Sequence, residues 1–212
     1  MMTSSALCVS NDRVPMPEKS LVIFLHGIGA SGAQLMPLAS SWRSRLPTAR
    51  FVAPDAPMHH RYGHQWFSTE GNPLDPARIL AARHAFDAVI GDAVRREGFD
   101  DAYDRVALVG VSQGAIVALD AVASGRWQVG ALVSFAGLLP PQTIFPASKD
   151  TPILLVHGQN DTTIPPMASN LAAAQLRAAG FKVELEIEAG LGHTISPSGA
   201  NKALTFLTDA LA

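Results

Sequence analysis

Four short segments of the chain are apolar almost without interruption: "SLVIFLHG" (20–27), "RVALVGVS" (105–112), "GALVSFAG" (130–137) and "TPILLVHG" (151–158). Each ends in or beside glycine or a polar residue. A strand that is apolar on both faces must be covered on both, which is the situation of a parallel sheet with helices above and below it. Helical spacing fills the gaps. In "AQLMPLASSWRSRL" Leu35, Leu38, Trp42 and Leu46 fall on one stripe. In "PARILAARHAFDAVIGDAVRREG" Ile79, Ala82, Phe86, Val89, Ile90 and Val94 do the same, with Pro76 early and Gly98 just beyond. "MASNLAAAQLRAAG" closes on Gly180, a suitable residue for a helix C-terminus. "FKVELEIEA" changes period: Val183, Leu185 and Ile187 alternate with glutamates, as in a strand with one wet face near a sheet edge. A last helix is expected in "SGANKALTFLTDALA".

Strand–helix alternation of this kind predicts an α/β fold with a mostly parallel central sheet and helices on both faces. Residues 1–18 read as an N-terminal extension and 19–212 as a single domain without a large lid domain. The one long segment without period is "PDAPMHHRYGHQWFSTEGNPLD" (54–75), and long loops in compact domains are often functional. A net charge of −2 offers no basic face for nucleic acid. Cys8 is the only cysteine, so an internal disulfide is excluded and a reducing, cytoplasmic setting is expected. Cys8 has no neighbouring histidine or base to activate it. No secretory signal is expected from "MMTSSALCVSNDR", and no apolar run is long enough for a membrane span.

The chemistry begins at Gly110-Val111-Ser112-Gln113-Gly114. Gly-x-Ser-x-Gly between a buried strand and a helix is a sharp turn that lifts one hydroxyl above the sheet edge. The helix that follows directs free N–H groups at any oxyanion formed there. A serine hydroxyl needs a base, and the base needs an orienting carboxylate. With the chain order Ser, acid, His, only His193 in "EAGLGHTISP" remains as base, because His157 precedes every acid-bearing loop. Asp161 in "HGQNDTTIPP" follows a strand at its C-terminal end, where sites in open α/β sheets collect. Asp120 is carried off along its helix, Asp150 precedes its strand, and Glu184 and Glu186 face solvent. Glu188 stays open as the alternative acid. The oxyanion amides are expected from Gln113 and from Ile28 in "LHGIGASG", where Gly27 and Gly29 permit close approach. Their side chains are expected to matter little, and His26 to be structural.

The segments "LHGIGASG", "QWFS", "GVSQGA", "HGQNDTTIP" and "GLGHT", in this order, resemble the phospholipase/carboxylesterase branch of the α/β-hydrolases. That family includes bacterial carboxylesterases and eukaryotic acyl-protein thioesterases. The resemblance implies Ser112, Asp161 and His193 as the triad, with Ile28 and Gln113 supplying the oxyanion amides. It departs from the family at Ala30 and Ser68, where acidic residues are usual. It also suggests a homodimer. Trp66, Phe67, Leu138, Leu139 and Ile164 are candidates for an apolar acyl pocket. His59, His60 and His64 lack structural-zinc spacing and paired acids, so no metal and no cofactor are expected, and the segment reads as a solvated rim. Small esters, lysophospholipids and acyl thioesters are all reachable substrates. A non-catalytic receptor on the same fold would show a broken triad, and a peptidase would carry a recognition domain; neither is expected here.

Overall fold

A computed structural model describes residues 19–72, 75–141, 144–145 and 151–212; the expected extension 1–18, Cys8 and Asp150 lie outside them. Six strands form one sheet: β1 (Ser20–Leu25), β2 (Ala49–Val52), β5 (Val106–Val111), β6 (Ala131–Phe135), β7 (Ile153–Gly158) and β8 (Val183–Glu188). Their order is β2-β1-β5-β6-β7-β8, and every pair is parallel. The four apolar runs are the four inner strands, and β8, with its alternating glutamates, is an edge.

Alternate residues of each inner strand enter two separate cores. Leu21, Ile23, Leu25, Leu108, Leu132 and Leu155 pack with Phe86 and Ile90 of α2 (Pro76–Arg96), Ala118 of α3 (Gln113–Ala123) and Leu176 of α4 (Met167–Ala178). Val22, Phe24, Val109, Val133 and Val156 pack instead with Trp42 of α1 (Met36–Trp42) and Leu204 and Leu207 of α5 (Pro197–Ala210). Both faces of the sheet are therefore helix-covered, and no lid is inserted among the described residues.

Two features differ from the sequence reading. The edge strand β2 was not anticipated: its four residues alternate buried and open, with Arg50 exposed, too short to show a period. The segment 54–75 is not wholly irregular either. It contains an antiparallel ribbon, β3 (Met58–His60) with β4 (Gly63–Gln65). The ribbon bonds through its backbone to the loop after β1: Gly29 N–H donates to His64 O at 2.8 Å, and His64 N–H to Ala30 O at 2.9 Å. Its polar side chains hide the strand pattern, because main-chain pairing holds it.

Candidate active site

The site lies at the C-terminal ends of β1, β5, β7 and β8, where four loops converge. Between β5 and α3, Ser112 takes φ 53° and ψ −117°, a left-handed conformation that costs a non-glycine residue about 1–3 kcal/mol. The surrounding packing holds it there. A Cβ on Gly110 would lie 2.5 Å from Ala115 Cα, and one on Gly114 would lie 2.2 Å from Leu25 O. Both glycines are needed because α3 rises hard against β5 and β1. Gly114→Ala is accordingly expected to destabilise the fold by about 1–3 kcal/mol through overpacking, seen as a lower denaturant midpoint with an unchanged m-value.

The turn after β7 supplies Asp161 and the loop after β8 supplies His193. The two loops are tied by their backbones: Gln159 N–H donates to Glu188 O and Asn160 N–H to Leu191 O, each at 2.8 Å. His193 Nδ1 lies 2.6 Å from Asp161 Oδ2, and His193 Nε2 lies 2.9 Å from Ser112 Oγ. A carboxylate only accepts, so Nδ1 carries the proton and Nε2 presents its lone pair to the serine hydroxyl. The three side chains thus form one hydrogen-bonded line. The Asp161 side chain is 0% exposed. Burial alone raises its pKa, but the His193 hydrogen bond, the Ile164 and Thr163 amides and the His193 charge together outweigh it. The carboxyl is held below the usual carboxylate range. It is therefore ionised at neutral pH and able to stabilise a protonated imidazole.

Glu188, the alternative acid, is engaged elsewhere. Its carboxylate accepts from Ser196 Oγ at 2.6 and 2.8 Å, and Ser196 in turn caps α5 through Gly199 N–H. Asp120 is bound to Arg83 at 2.7 Å and to Arg126 at 3.0 Å.

The loop after β1 approaches the serine closely: a Cβ on Gly27 would lie 3.3 Å from Ser112 Cβ. Among the described residues, neither the Ile28 nor the Gln113 backbone N–H donates a hydrogen bond. Both stay available beside Ser112, whereas the neighbouring Gly29 amide is taken by His64. His26 is buried behind this loop. Its Nδ1–H donates to Gly27 O at 2.7 Å and its Nε2 accepts from Ala56 N–H at 2.9 Å. Burial lowers its pKa, more than the Gly27 bond and Asp55 raise it, so the ring is a neutral spacer.

The Gln113 side chain matters more than sequence reasoning allowed. Its Oε1 accepts from Trp66 N–H at 2.6 Å and its Nε2 donates to Phe67 O at 2.7 Å, clamping "QWFS" to the start of α3. Glutamine is the type suited to this, offering a donor and an acceptor to one extended backbone.

An apolar cavity of about 190 Å³ begins one turn along α3, lined by Phe67, Ile79, Ile116, Val117 and Leu138 with the Arg83–Asp120–Arg126 ion pairs. Of the five candidate pocket residues, Phe67 and Leu138 line it. Trp66 does not: it is 1% exposed, its ring tilted against those of Phe86 and His26, with its Nε1–H donating to His26 O. Leu139 and Ile164 do not line it either. Leu139 packs against the core, and Ile164 contributes its backbone to Asp161 and His157. His59, His60 and His64 sit on the β3–β4 ribbon. The His64 ring bonds Ala56 O and lies 5.4 Å from that of His59. No described helix is long and apolar enough to cross a membrane.

The sequence pattern of the phospholipase/carboxylesterase family matches residues 9–211. The chain is 28% identical to acyl-protein thioesterase 1 homolog 1 of Dictyostelium discoideum, covering 92% of each protein. It is 29% identical to esterase YpfH of Escherichia coli K12, covering 92% of this chain and 83% of that protein. Among solved structures it is similar to esterase PE8, with a TM-score of 0.81 and 32% identity over 93% of this chain and 95% of the other.

Proposed function

The chain belongs to the phospholipase/carboxylesterase family, and on that premise we propose that it hydrolyses small and medium-chain acyl esters through a Ser112–His193–Asp161 triad. The observation that carries this is the single imidazole within hydrogen-bond reach of both the Ser112 hydroxyl and a buried carboxylate. His193 Nε2 takes the Ser112 proton as Oγ attacks the ester carbonyl, and Asp161 stabilises the imidazolium. The amides of Ile28 and Gln113 receive the oxyanion of the tetrahedral intermediate. The C–O bond to the alcohol then breaks, and His193 returns the proton to the leaving oxygen. Water repeats the sequence on the acyl-enzyme and releases the acid.

The cavity supports the chain length. Ile116, Val117 and Asp120 follow Ser112 along α3, which rises 1.5 Å per residue, so an acyl tail laid along it meets the Asp120 ion pairs after about 12 Å. That is room for roughly eight to ten carbons at ordinary bond lengths. Paired charges beyond that point are poor company for more methylenes. A p-nitrophenyl ester series tests this. We expect kcat/KM to rise up to about fourfold per added CH₂ while the chain stays in the cavity. It then falls for longer acyl groups. Palmitoyl thioesters and lysophospholipids, the substrates of the other branch of the reading, should be slower than the best short ester. A steady rise through palmitoyl would contradict the medium-chain assignment.

A further inference from the structure

We infer that His157 is a positioning residue for the reaction: with Ser169 behind it, its Nε2–H holds Ile164 O and lies against the Asp161 carboxylate, and so fixes the group that orients His193. The inference rests on the triad reading above. Nothing in the acyl-transfer steps calls for His157 or Ser169, yet both are sealed from solvent, at 1% and 2% exposure.

The four lone-pair directions of the Asp161 carboxylate can be followed individually. Oδ1 accepts the Thr163 and Ile164 amides, at 2.8 and 3.0 Å. Oδ2 accepts His193 Nδ1–H at 2.6 Å and faces His157 Nε2 at 3.1 Å. The same His157 Nε2 lies 2.8 Å from Ile164 O. Both of its neighbours are oxygens that only accept, so Nε2 must carry the ring proton. Nδ1 is then a lone pair, and the Ser169 hydroxyl at 2.7 Å is the donor that satisfies it. The chain of bonds Ser169 Oγ–H to His157 Nδ1 and His157 Nε2–H to Ile164 O has one consistent direction, and it leaves that same N–H 3.1 Å from Asp161 Oδ2.

The arrangement suits its place. The Asp161 side chain has no exposed surface, so water cannot supply the fourth donor, and an unpaired carboxylate lone pair in the interior is costly. β7 delivers His157 from one side and the first turn of α4 delivers Ser169 from another, so the carboxylate plane is held by two rigid elements. Without the His157 proton Oδ2 is held by His193 alone, while Oδ1 keeps its two amides. It also becomes a stronger base toward His193, which favours the protonated imidazole.

Three variants test this: His157→Asn, whose amide ends near the Nδ1 position and cannot reach Asp161; His157→Gln, whose amide nitrogen reaches the Nε2 position; and Ser169→Ala. Each is assayed with a p-nitrophenyl ester across pH and titrated with a fluorophosphonate to count reactive serines. We expect His157→Asn to lose about tenfold in kcat, as for one hydrogen bond to a charged group. KM should stay unchanged and the acid limb of kcat/KM should move to higher pH. His157→Gln should restore most of the loss, and Ser169→Ala should move the same limb by less. If His157→Asn does not fold, the other two variants decide. An acid limb at the wild-type pH in Ser169→Ala together with equal defects in the Gln and Asn variants, or with the Asn variant unfolded, would overturn the role. Failure of the wild-type enzyme to label at Ser112 would instead overturn the triad reading beneath it.

Discussion

Ser112→Ala is expected to lower turnover of a p-nitrophenyl ester by about 10⁶-fold, as loss of the nucleophile does in serine proteases. The size follows from what the hydroxyl alone provides. Without Oγ no acyl-enzyme forms, and His193 Nε2, which in the intact site lies 2.9 Å from that oxygen, has no proton to take. The amides of Ile28 and Gln113 remain, so a residual rate above the uncatalysed one persists. Alanine also keeps a Cβ at the strained φ of 53°, so the turn is little changed. The variant should fold with the stability of the parent, which separates a chemical loss from a structural one.

Asp161→Asn is expected to cost about 10⁴-fold in kcat, by analogy with the same change in serine proteases. The hydrogen bonds here give the reason. Oδ1 accepts two backbone amides, so the asparagine oxygen is kept there and its NH₂ takes the place of Oδ2. That NH₂ faces His193 Nδ1 and His157 Nε2, both donors in the parent. His193 relieves the clash by moving its proton to Nε2, which then points a hydrogen at Ser112 where a lone pair is needed. Glu188→Gln is the control. Its carboxylate holds Ser196 at the start of α5, so turnover should stay near that of the parent. A large loss in Glu188→Gln with a near-normal Asp161→Asn would reverse the assignment of the acid.

The chain makes its architecture legible where burial is two-sided. The runs at β1, β5, β6 and β7 are apolar because both faces meet helices, and no other layer arrangement needs such strands. The serine turn was legible for a related reason: Gly110 and Gly114 stand where backbone meets backbone, a constraint that leaves a mark at fixed spacing. Histidine and aspartate loops followed from chain order. What stayed hidden depends on side chains meeting across distant segments. Trp66 reads equally well as pocket or core in a segment without period, and only the bond from its Nε1 to His26 O decides for core. The Gln113 clamp joins residues 46 and 47 positions apart. Chain order excludes His157 as the base but says nothing of its closeness to Asp161, four residues on in the turn after β7, or of Ser169, which α4 brings to its other nitrogen. The β3–β4 ribbon is held by backbone bonds to the loop after β1, and backbone bonds carry no residue signature.

The most direct test is to treat the purified protein with a fluorophosphonate and locate the adduct by peptide mass spectrometry. One phosphonyl group per chain, on Ser112 and absent from the Ser112→Ala variant, is the predicted result. A protein that remains unlabelled while folded, or one labelled at another residue with Ser112 untouched, would contradict the claim that His193 activates this hydroxyl.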